Sequence, residues 1–374
     1  MTPLRRVLLV FGTRPEAIKM APVIQQLQRS ASRFEAIVAV TGQHREMLDQ
    51  VLSLYGLAPD LDLDLMRHGQ RPEEVLAQAV TGIGAAIRDL KPDAVLVQGD
   101  TTTTLAGALA SFYEHVPIGH IEAGLRSDDK HAPFPEEVNR RLTTQVADMH
   151  FAPTAHARDR LLAEGVPAAD VYVTGNTAVD ALLAAAGIPN TPADERLASL
   201  AGGKGRFVLV TAHRRENWGV PMEAICSAVL DVLAAFDDLV VVFPVHRNPV
   251  VRDVVNRVLG ANERVLLTEP LDYLTFLGMM RSATLIMSDS GGVQEEAPSL
   301  DVPVLVLRET TERPEALETG AIRLVGTTRE GITRGALEVL GDPALYRRMA
   351  EAANPFGDGH AAERIVAVLE ERLG

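Results

Sequence analysis

The sequence predicts an α/β protein of two Rossmann-like, doubly wound domains, each a parallel sheet with helices on both faces. Three observations predict it. Short Val/Ile/Leu runs alternate with amphipathic segments along almost the whole chain. The alternation pauses once, at a stretch rich in glycine and proline. A second series of the same kind then follows. At 374 residues the chain also exceeds one typical domain, and 47% hydrophobic residues suffice for two buried cores.

Taken in order, the first run is RVLLVFG (6–12). It follows a basic pair and could be mistaken for a leader peptide, but it is short and meets Gly-Thr-Arg-Pro, as a first strand does. FEAIVAVTG (34–42), DAVLVQGD (93–100), VPIGHIEAG (116–124), MHFAPT (149–154) and VYVTGN (171–176) continue the series. Between them, Glu16–Arg29, His44–Tyr55 and Pro72–Leu90 carry helical spacing. Residues 184–205 hold two prolines and four glycines, so a linker is expected over 186–205. RFVLVTAH (206–213), LVVVFPVH (239–246), RVLLT (264–268), ATLIMSDS (283–290), VPVLVLR (302–308) and IRLVG (322–326) build the second series. The expected domains are therefore 1–185 and 206–355. The final segment, 356–374, is expected to be a helix packing back on the first domain.

Composition narrows the function. A net charge of −14 argues against a nucleic-acid partner, which wants a basic footprint. The single cysteine, Cys226, excludes an internal disulfide and fits a reducing compartment. It sits in an apolar helical pattern and reads as core. No apolar stretch is long enough to span a bilayer, so a cytoplasmic protein without membrane contact is expected.

Polar residues gather after the strands, where ligands of such sheets bind; with two domains, the cleft between them is the expected site. In SDSGGVQEE, Ser290, Gly291 and Gly292 open a helix whose bare N–H groups suit a phosphate. A serine cap on a tight turn is the equal alternative. Arg313 could add a cation to a diphosphate, and Glu296 could accept ribose hydroxyls. In the first half, Arg14 and Lys19 flank a helix start, where simple solvation also accounts for them. Asp100 precedes a run of threonines and reads equally as a helix cap. Glu122 closes an apolar strand, where a catalytic carboxylate belongs. Pro135 can open a helix on which Glu136 and Arg140, four apart, share a face. That pair is either a solvated ion pair worth tenths of a kcal/mol or a carboxylate held in a cleft. Spacing does not choose.

Ten motifs occur in a fixed order: FGTRPEAIKMAP, GQHREMLDQVL, GDTTTTLAGALA, EAGLRS, PEEVNRRLT, TGNTAVDAL, HRREN, SDSGGVQEEAPSL, TTERPEA and NPFGDG. Together, and over essentially the whole chain, they resemble the bacterial non-hydrolysing UDP-N-acetylglucosamine 2-epimerases. The resemblance implies a glycosyltransferase-B-type arrangement with an interdomain active-site cleft. The first domain would carry sugar contacts and carboxylates, and the second would bind UDP. It implies reversible C2 inversion between UDP-GlcNAc and UDP-ManNAc for cell-envelope polysaccharide synthesis.

C2 bears an acetamido group and no adjacent carbonyl, so its hydrogen is not acidic. Transient oxidation at C3 by NAD would need a dinucleotide fingerprint. GTRPE follows the first strand instead, and the near match at Gly82 lies inside a helical pattern. No cofactor is therefore expected. The mechanism the resemblance implies is departure of UDP from C1 with loss of the C2 proton. 2-Acetamidoglucal forms, and UDP adds back with the proton delivered to the other face. It also implies the roles: Asp100, Glu122 and Glu136 as acid/base carboxylates, Arg140 steadying them, and His213 near sugar and diphosphate. Arg14, Lys19, Ser290, Gly291, Gly292 and Arg313 would bind substrate, with Phe276 and Glu296 as base and ribose contacts. Leu271 stands where some members have glutamine. Gln43, Gln70, Arg214 and His246 lie in motifs matching an allosteric site for a second UDP-GlcNAc. A homodimer and no metal are expected. The competing readings are a hydrolysing epimerase, a glycosyltransferase of the same fold and a non-catalytic nucleotide-sugar sensor.

Overall fold

The computed structural model describes residues 4–42, 45–65, 70–131, 133–311 and 313–374, without the side chains of residues 45–47 and 215. The chain folds as two compact units, Met1–Ala181 with Phe356–Gly374, and Leu182–Pro355.

The first unit is built on strands β1 (Arg5–Phe11), β2 (Phe34–Val40), β3 (Leu61–Asp62), β4 (Ala94–Gln98), β5 (Ile118–Ile121), β6 (Met149–Ala152) and β7 (Val171–Val173). They pair in the order β3-β2-β1-β4-β5-β6-β7. Every paired strand of this sheet runs parallel to its neighbour. Val7 to Phe11 are all fully buried, because helices cover both faces, and so the strand reads as an unbroken apolar run rather than an alternating one. The two-residue β3 escapes the sequence reading: too short for a run, it takes its place from pairing with Ala39 and Val40.

The second unit carries β8 (Arg206–Thr211), β9 (Leu239–Pro244), β10 (Val265–Thr268), β11 (Leu285–Ser288), β12 (Val304–Val306) and β13 (Ile322–Leu324), in the order β10-β9-β8-β11-β12-β13. It too is parallel throughout its paired strands. Cys226 is fully buried in its core, and burial pushes the thiol up to about 12. The stretch expected as a linker holds a helix, Glu195–Ala201, capped by Asp194 through the Arg196 and Leu197 amides at 2.8 and 3.1 Å. It belongs to the second unit.

In each sheet the strand order reverses once beside the first strand, between β1 and β4 and between β8 and β11. Ligands of doubly wound sheets bind beyond the carboxyl ends at such switch points. The first unit is completed by the last helix, Ala361–Leu373. Its first amides have no capping side chain of their own. Asp180 supplies one, accepting from Ala361 at 3.2 Å and Ala362 at 2.8 Å. Among the described residues no helix is long and apolar enough to cross a membrane.

Candidate active site

In the first unit the switch point lies between the turn after β1 and the turn after β4. Helix Arg14–Arg29 follows β1 directly, with Thr13 as its cap. Glu16 reaches back to complete a capping box, which fills the place where a dinucleotide fold would hold phosphate. Arg14 is half-buried at the helix start, and its side chain makes no ion pair or hydrogen bond among the described residues. Lys19, one turn along, is not a solvated helix-end base. Its ammonium lies 2.6 Å from Glu122 Oε1.

Glu122 stands immediately after β5 with its side chain 8% exposed and its backbone left-handed, at φ 65°. Its second oxygen accepts a hydrogen bond from Gln98 Nε2, at the end of the neighbouring β4. Asp100 follows two residues later. The cap reading for Asp100 fails, because Thr101 caps helix Thr102–Tyr113, its hydroxyl accepting from the Thr104 amide at 3.1 Å. That leaves the Asp100 carboxylate for the Arg140 guanidinium, with which it forms an ion pair. Asn139 Nδ2 donates to the Asp100 carbonyl at 3.0 Å.

Helix Glu136–Val146 departs from the expected pattern in two ways. Pro135 occupies the cap position, one residue before the first helical residue. Arg140 pairs with Glu137 at 3.3 Å, not with Glu136. The reason is burial. The Glu137 side chain is fully buried and must be satisfied, so it also accepts from the Ser127 amide at 3.0 Å and from Arg141 Nε at 2.8 Å. Glu136 is half-buried and makes no ion pair or side-chain hydrogen bond among the described residues. Gln70 donates to Gln78 Oε1 at 2.9 Å and to the Leu65 carbonyl at 3.3 Å. Gln43 lies outside the described residues.

In the second unit Asp289, directly after β11, organises the turn after β8. It is fully buried and accepts from the His213 and Arg214 amides, both at 3.0 Å, and from Asn217 Nδ2 at 2.8 Å. His213 Nδ1 lies 3.1 Å from the same carboxylate. Burial alone would raise the Asp289 carboxyl. The bonds from His213 and its neighbours outweigh burial and hold it below the ordinary range. A buried carboxylate on one ring nitrogen fixes the imidazole's orientation and leaves the other nitrogen for chemistry. His246 stacks on His213 with ring centroids 6.3 Å apart, and Arg214 Nε donates to the Asp289 carbonyl at 2.9 Å.

Beside this group, Ser290 takes the cap position of helix Gly291–Glu296 but makes no side-chain cap bond. The Arg313 guanidinium lies over Gly291 so closely that an added Cβ would sit 2.7 Å from Nη1. Glu295, 2% exposed, holds that guanidinium through Nε at 2.8 Å and Nη2 at 2.5 Å. The arrangement offers backbone donors and a fixed cation in one place, which suits an anion. Half-buried Leu271 and Phe276 lie ahead of and within helix Tyr273–Ser282. That helix packs on the Ala297–Leu300 turn following the half-buried Glu296.

The structure thus joins Lys19 to Glu122 and Asp100 to Arg140 in one unit, and gathers His213, Arg214 and His246 near Ser290–Gly292 and Arg313 in the other. It adds Gln98, Glu137, Asp289 and Glu295, which the sequence reading passed over. Their one signal was a charged or amide residue at a strand end or beside a named motif residue.

A family model for UDP-N-acetylglucosamine 2-epimerase matches residues 25–370. The UDP-N-acetylglucosamine 2-epimerase of Salmonella typhimurium is 49% identical over 371 residues, covering 98% of this chain and 98% of that protein. The structure of UDP-GlcNAc 2-epimerase from Neisseria meningitidis bound to UDP-GlcNAc is 44% identical with a TM-score of 0.90. The match covers 98% of this chain and 100% of that one. That of S. aureus MnaA with UDP is 46% identical with a TM-score of 0.90, covering 99% of this chain and 97% of that one. The resemblance carried by the sequence motifs holds over almost the full length.

Proposed function

Because the chain belongs to the UDP-N-acetylglucosamine 2-epimerase family, we propose that it interconverts UDP-GlcNAc and UDP-ManNAc by eliminating and re-adding UDP. The observation that carries the reading is a pair of carboxylates on adjacent strand ends, each held by its own cation: Asp100 by Arg140 and Glu122 by Lys19. Inversion at C2 requires one group to take a proton from one face and another to return it on the other.

In the forward direction a carboxylate removes the C2 proton. The C2–H electron pair forms the C1–C2 double bond of 2-acetamidoglucal, and the C1–oxygen bond breaks to release UDP. In return, UDP oxygen attacks C1 and the opposite acid protonates C2. Asp100, Glu122 and Glu136 are the acid/base set, with Arg140 and Lys19 fixing the first two. Negative charge grows on the diphosphate as C1–O breaks, and preformed donors there lower the barrier. Ser290, Gly291, Gly292 and Arg313 suit that role, with His213 steadied by Asp289, and Arg14 is proposed as a further substrate contact. Leu271, Phe276 and Glu296 serve the nucleoside.

Incubation with UDP-GlcNAc in deuterated water tests this. An equilibrium mixture of two UDP-sugars, with deuterium at C2, is the expected result. Free ManNAc and UDP as products would instead indicate a hydrolysing enzyme. UDP released only when an acceptor is added would indicate a glycosyltransferase, and turnover without C2 exchange would sink the elimination route. Arg214 and His246, beside His213, with Gln43 and Gln70, are proposed to serve a second UDP-GlcNAc that activates the enzyme. A coupling of about 1–3 kcal/mol would appear as sigmoidal kinetics, and strictly hyperbolic kinetics with full turnover of UDP-ManNAc alone would oppose it. The product is proposed to supply cell-envelope polysaccharide synthesis from the cytoplasm. The enzyme is proposed to work as a homodimer, which sedimentation reads directly.

A further inference from the structure

We propose that Glu16 is a positioning residue for the C2 epimerisation: one buried carboxylate that fixes the turn carrying Arg14 and Lys19 against the turn carrying Asp100. The inference rests on the epimerase reading above and concerns a residue to which that reading gives no part.

Glu16 is 2% exposed. Its two oxygens serve two different turns. Oε2 accepts from the Gly12 and Thr13 amides at 3.0 and 2.8 Å, in the turn after β1. Oε1 accepts from the Thr101 hydroxyl at 2.7 Å and lies 3.2 Å from the Thr104 hydroxyl, in the turn after β4. A capping box alone needs only the bond from the Thr13 amide and is ordinarily found at a helix start facing water. Here no cation pairs with the carboxylate among the described residues. Burial, the largest influence, raises its carboxyl against the pull of these donors. Burying such a group without a cation is costly unless every lone pair is used. Placing it under the site rather than an apolar side chain therefore points to the geometry it enforces.

That geometry leads straight to the acid/base pairs. Thr101 has one hydroxyl proton, which it gives to Glu16 while its oxygen accepts the Thr104 amide at 3.1 Å. The start of helix Thr102–Tyr113 is thereby set relative to β1, and Asp100 is the residue immediately before Thr101. On the other side, Lys19 lies one turn beyond Glu16 and bonds Glu122. The turn after β1 and the helix start after β4 approach so closely that a Cβ on Gly12 would lie 2.6 Å from Thr103 Oγ1. Losing the bridge lets Asp100 and the Lys19–Glu122 pair drift apart, and misplacement by about 1 Å costs about a hundredfold in rate.

The test compares Glu16→Ala with Glu16→Gln, and Thr101→Ala with Thr101→Ser. Turnover is expressed per UDP-binding site counted by titration, so misfolded protein does not enter kcat. Glutamine keeps an acceptor for the Gly12 and Thr13 amides and can donate to Thr101, and serine keeps the hydroxyl. The expected result is a kcat about a hundredfold lower in both alanine variants, largely restored in the conservative ones. KM should change little, and C2 deuterium incorporation should fall in step with kcat. A purely structural role lowers the melting temperature and the number of UDP sites, but not turnover per site. Wild-type kcat per site in Glu16→Ala overturns the proposal. If that variant does not fold, equal kcat in Thr101→Ala and Thr101→Ser overturns it. A wild-type enzyme that forms no UDP-ManNAc overturns the epimerase reading and this proposal with it. An active wild type beside an equally active Glu16→Ala overturns the positioning role alone.

Discussion

Acidification from about pH 7.5 to about pH 5 should loosen the first unit around its central strands, and His120 on β5 should account for a large share of the loss. Its side chain is fully buried, opposite His150 in the β5–β6 register. Nε2 lies 2.7 Å from the Gly99 carbonyl, and Nδ1 meets no partner. Burial pushes the imidazole from 6.5 down to about 3. The Gly99 bond opposes that shift, while His150, Arg126 and Arg140 add repulsion. The unfolded chain therefore takes up this proton below about pH 6.5, and the folded chain only near 3. Between those values the unfolded state holds more protons, so stability falls as pH falls. Each unit is worth about 1.4 kcal/mol, which gives about 2 kcal/mol by pH 5 and at most about 5 kcal/mol across the window. His150 is lowered by burial too and acts in the same direction. Glu16 and Asp180, raised by burial, oppose it, but they are common to wild type and variant. The assay is hydrogen exchange of peptides spanning β4 to β6, corrected for intrinsic pH dependence, in wild type and His120→Gln. Glutamine can still donate to Gly99 but does not titrate. The wild type should lose about 2 kcal/mol more protection than the variant between the two conditions. Equal losses would refute the assignment.

Four further outcomes follow from the same geometry. Glu122→Gln and Glu136→Gln should each lower kcat by about 10²–10⁴-fold with the Kd for UDP, measured by calorimetry, nearly unchanged; wild-type turnover in both would remove them from the acid/base set. Gly291→Val drives a side chain into the Arg313 guanidinium and should weaken UDP binding about ten- to a hundredfold; an unchanged Kd would count against that helix start as the diphosphate site. Glu137→Ala removes the acceptor of the Ser127 amide and one partner each of Arg140 and Arg141, which keep Asp100 and Glu164, and should cost about 1–3 kcal/mol, read as a lower urea midpoint with unchanged slope. Asp289→Ala frees the His213 ring and should lower kcat while far-ultraviolet circular dichroism stays the same.

The strands were legible because both faces of each sheet are covered, which leaves apolar runs such as Val7–Phe11 that no other element imitates. What stayed hidden depended on contacts far apart in the chain. Nothing near Asp100 announces Arg140, and nothing near Lys19 announces Glu122. Spacing on helix Glu136–Val146 offered Glu136 as the partner of Arg140, but burial selected Glu137, and a four-residue interval carries no information about depth. Asp289 sits inside the motif SDSGGVQEE, but its neighbours Ser290 and Gly291 carry the phosphate pattern, and its own partners lie far off in the chain, on the turn after β8. The helix Glu195–Ala201 was masked by the glycines and prolines around it.

The return of the last helix to the first unit has a consequence for synthesis on the ribosome. Residues through Ala181 emerge early, yet the amides that Asp180 caps belong to Ala361 and Ala362. At ordinary translation rates the nascent first unit waits roughly ten to forty seconds for its final piece. The whole of Leu182–Pro355 is made in that interval. The later unit can close while the earlier one still lacks the helix Ala361–Leu373 that packs against Arg14–Arg29, leaving apolar surface of that helix uncovered. Chaperones that bind exposed apolar surface would meet this chain in that window, and ribosome stalling shortly before residue 361 would lengthen it.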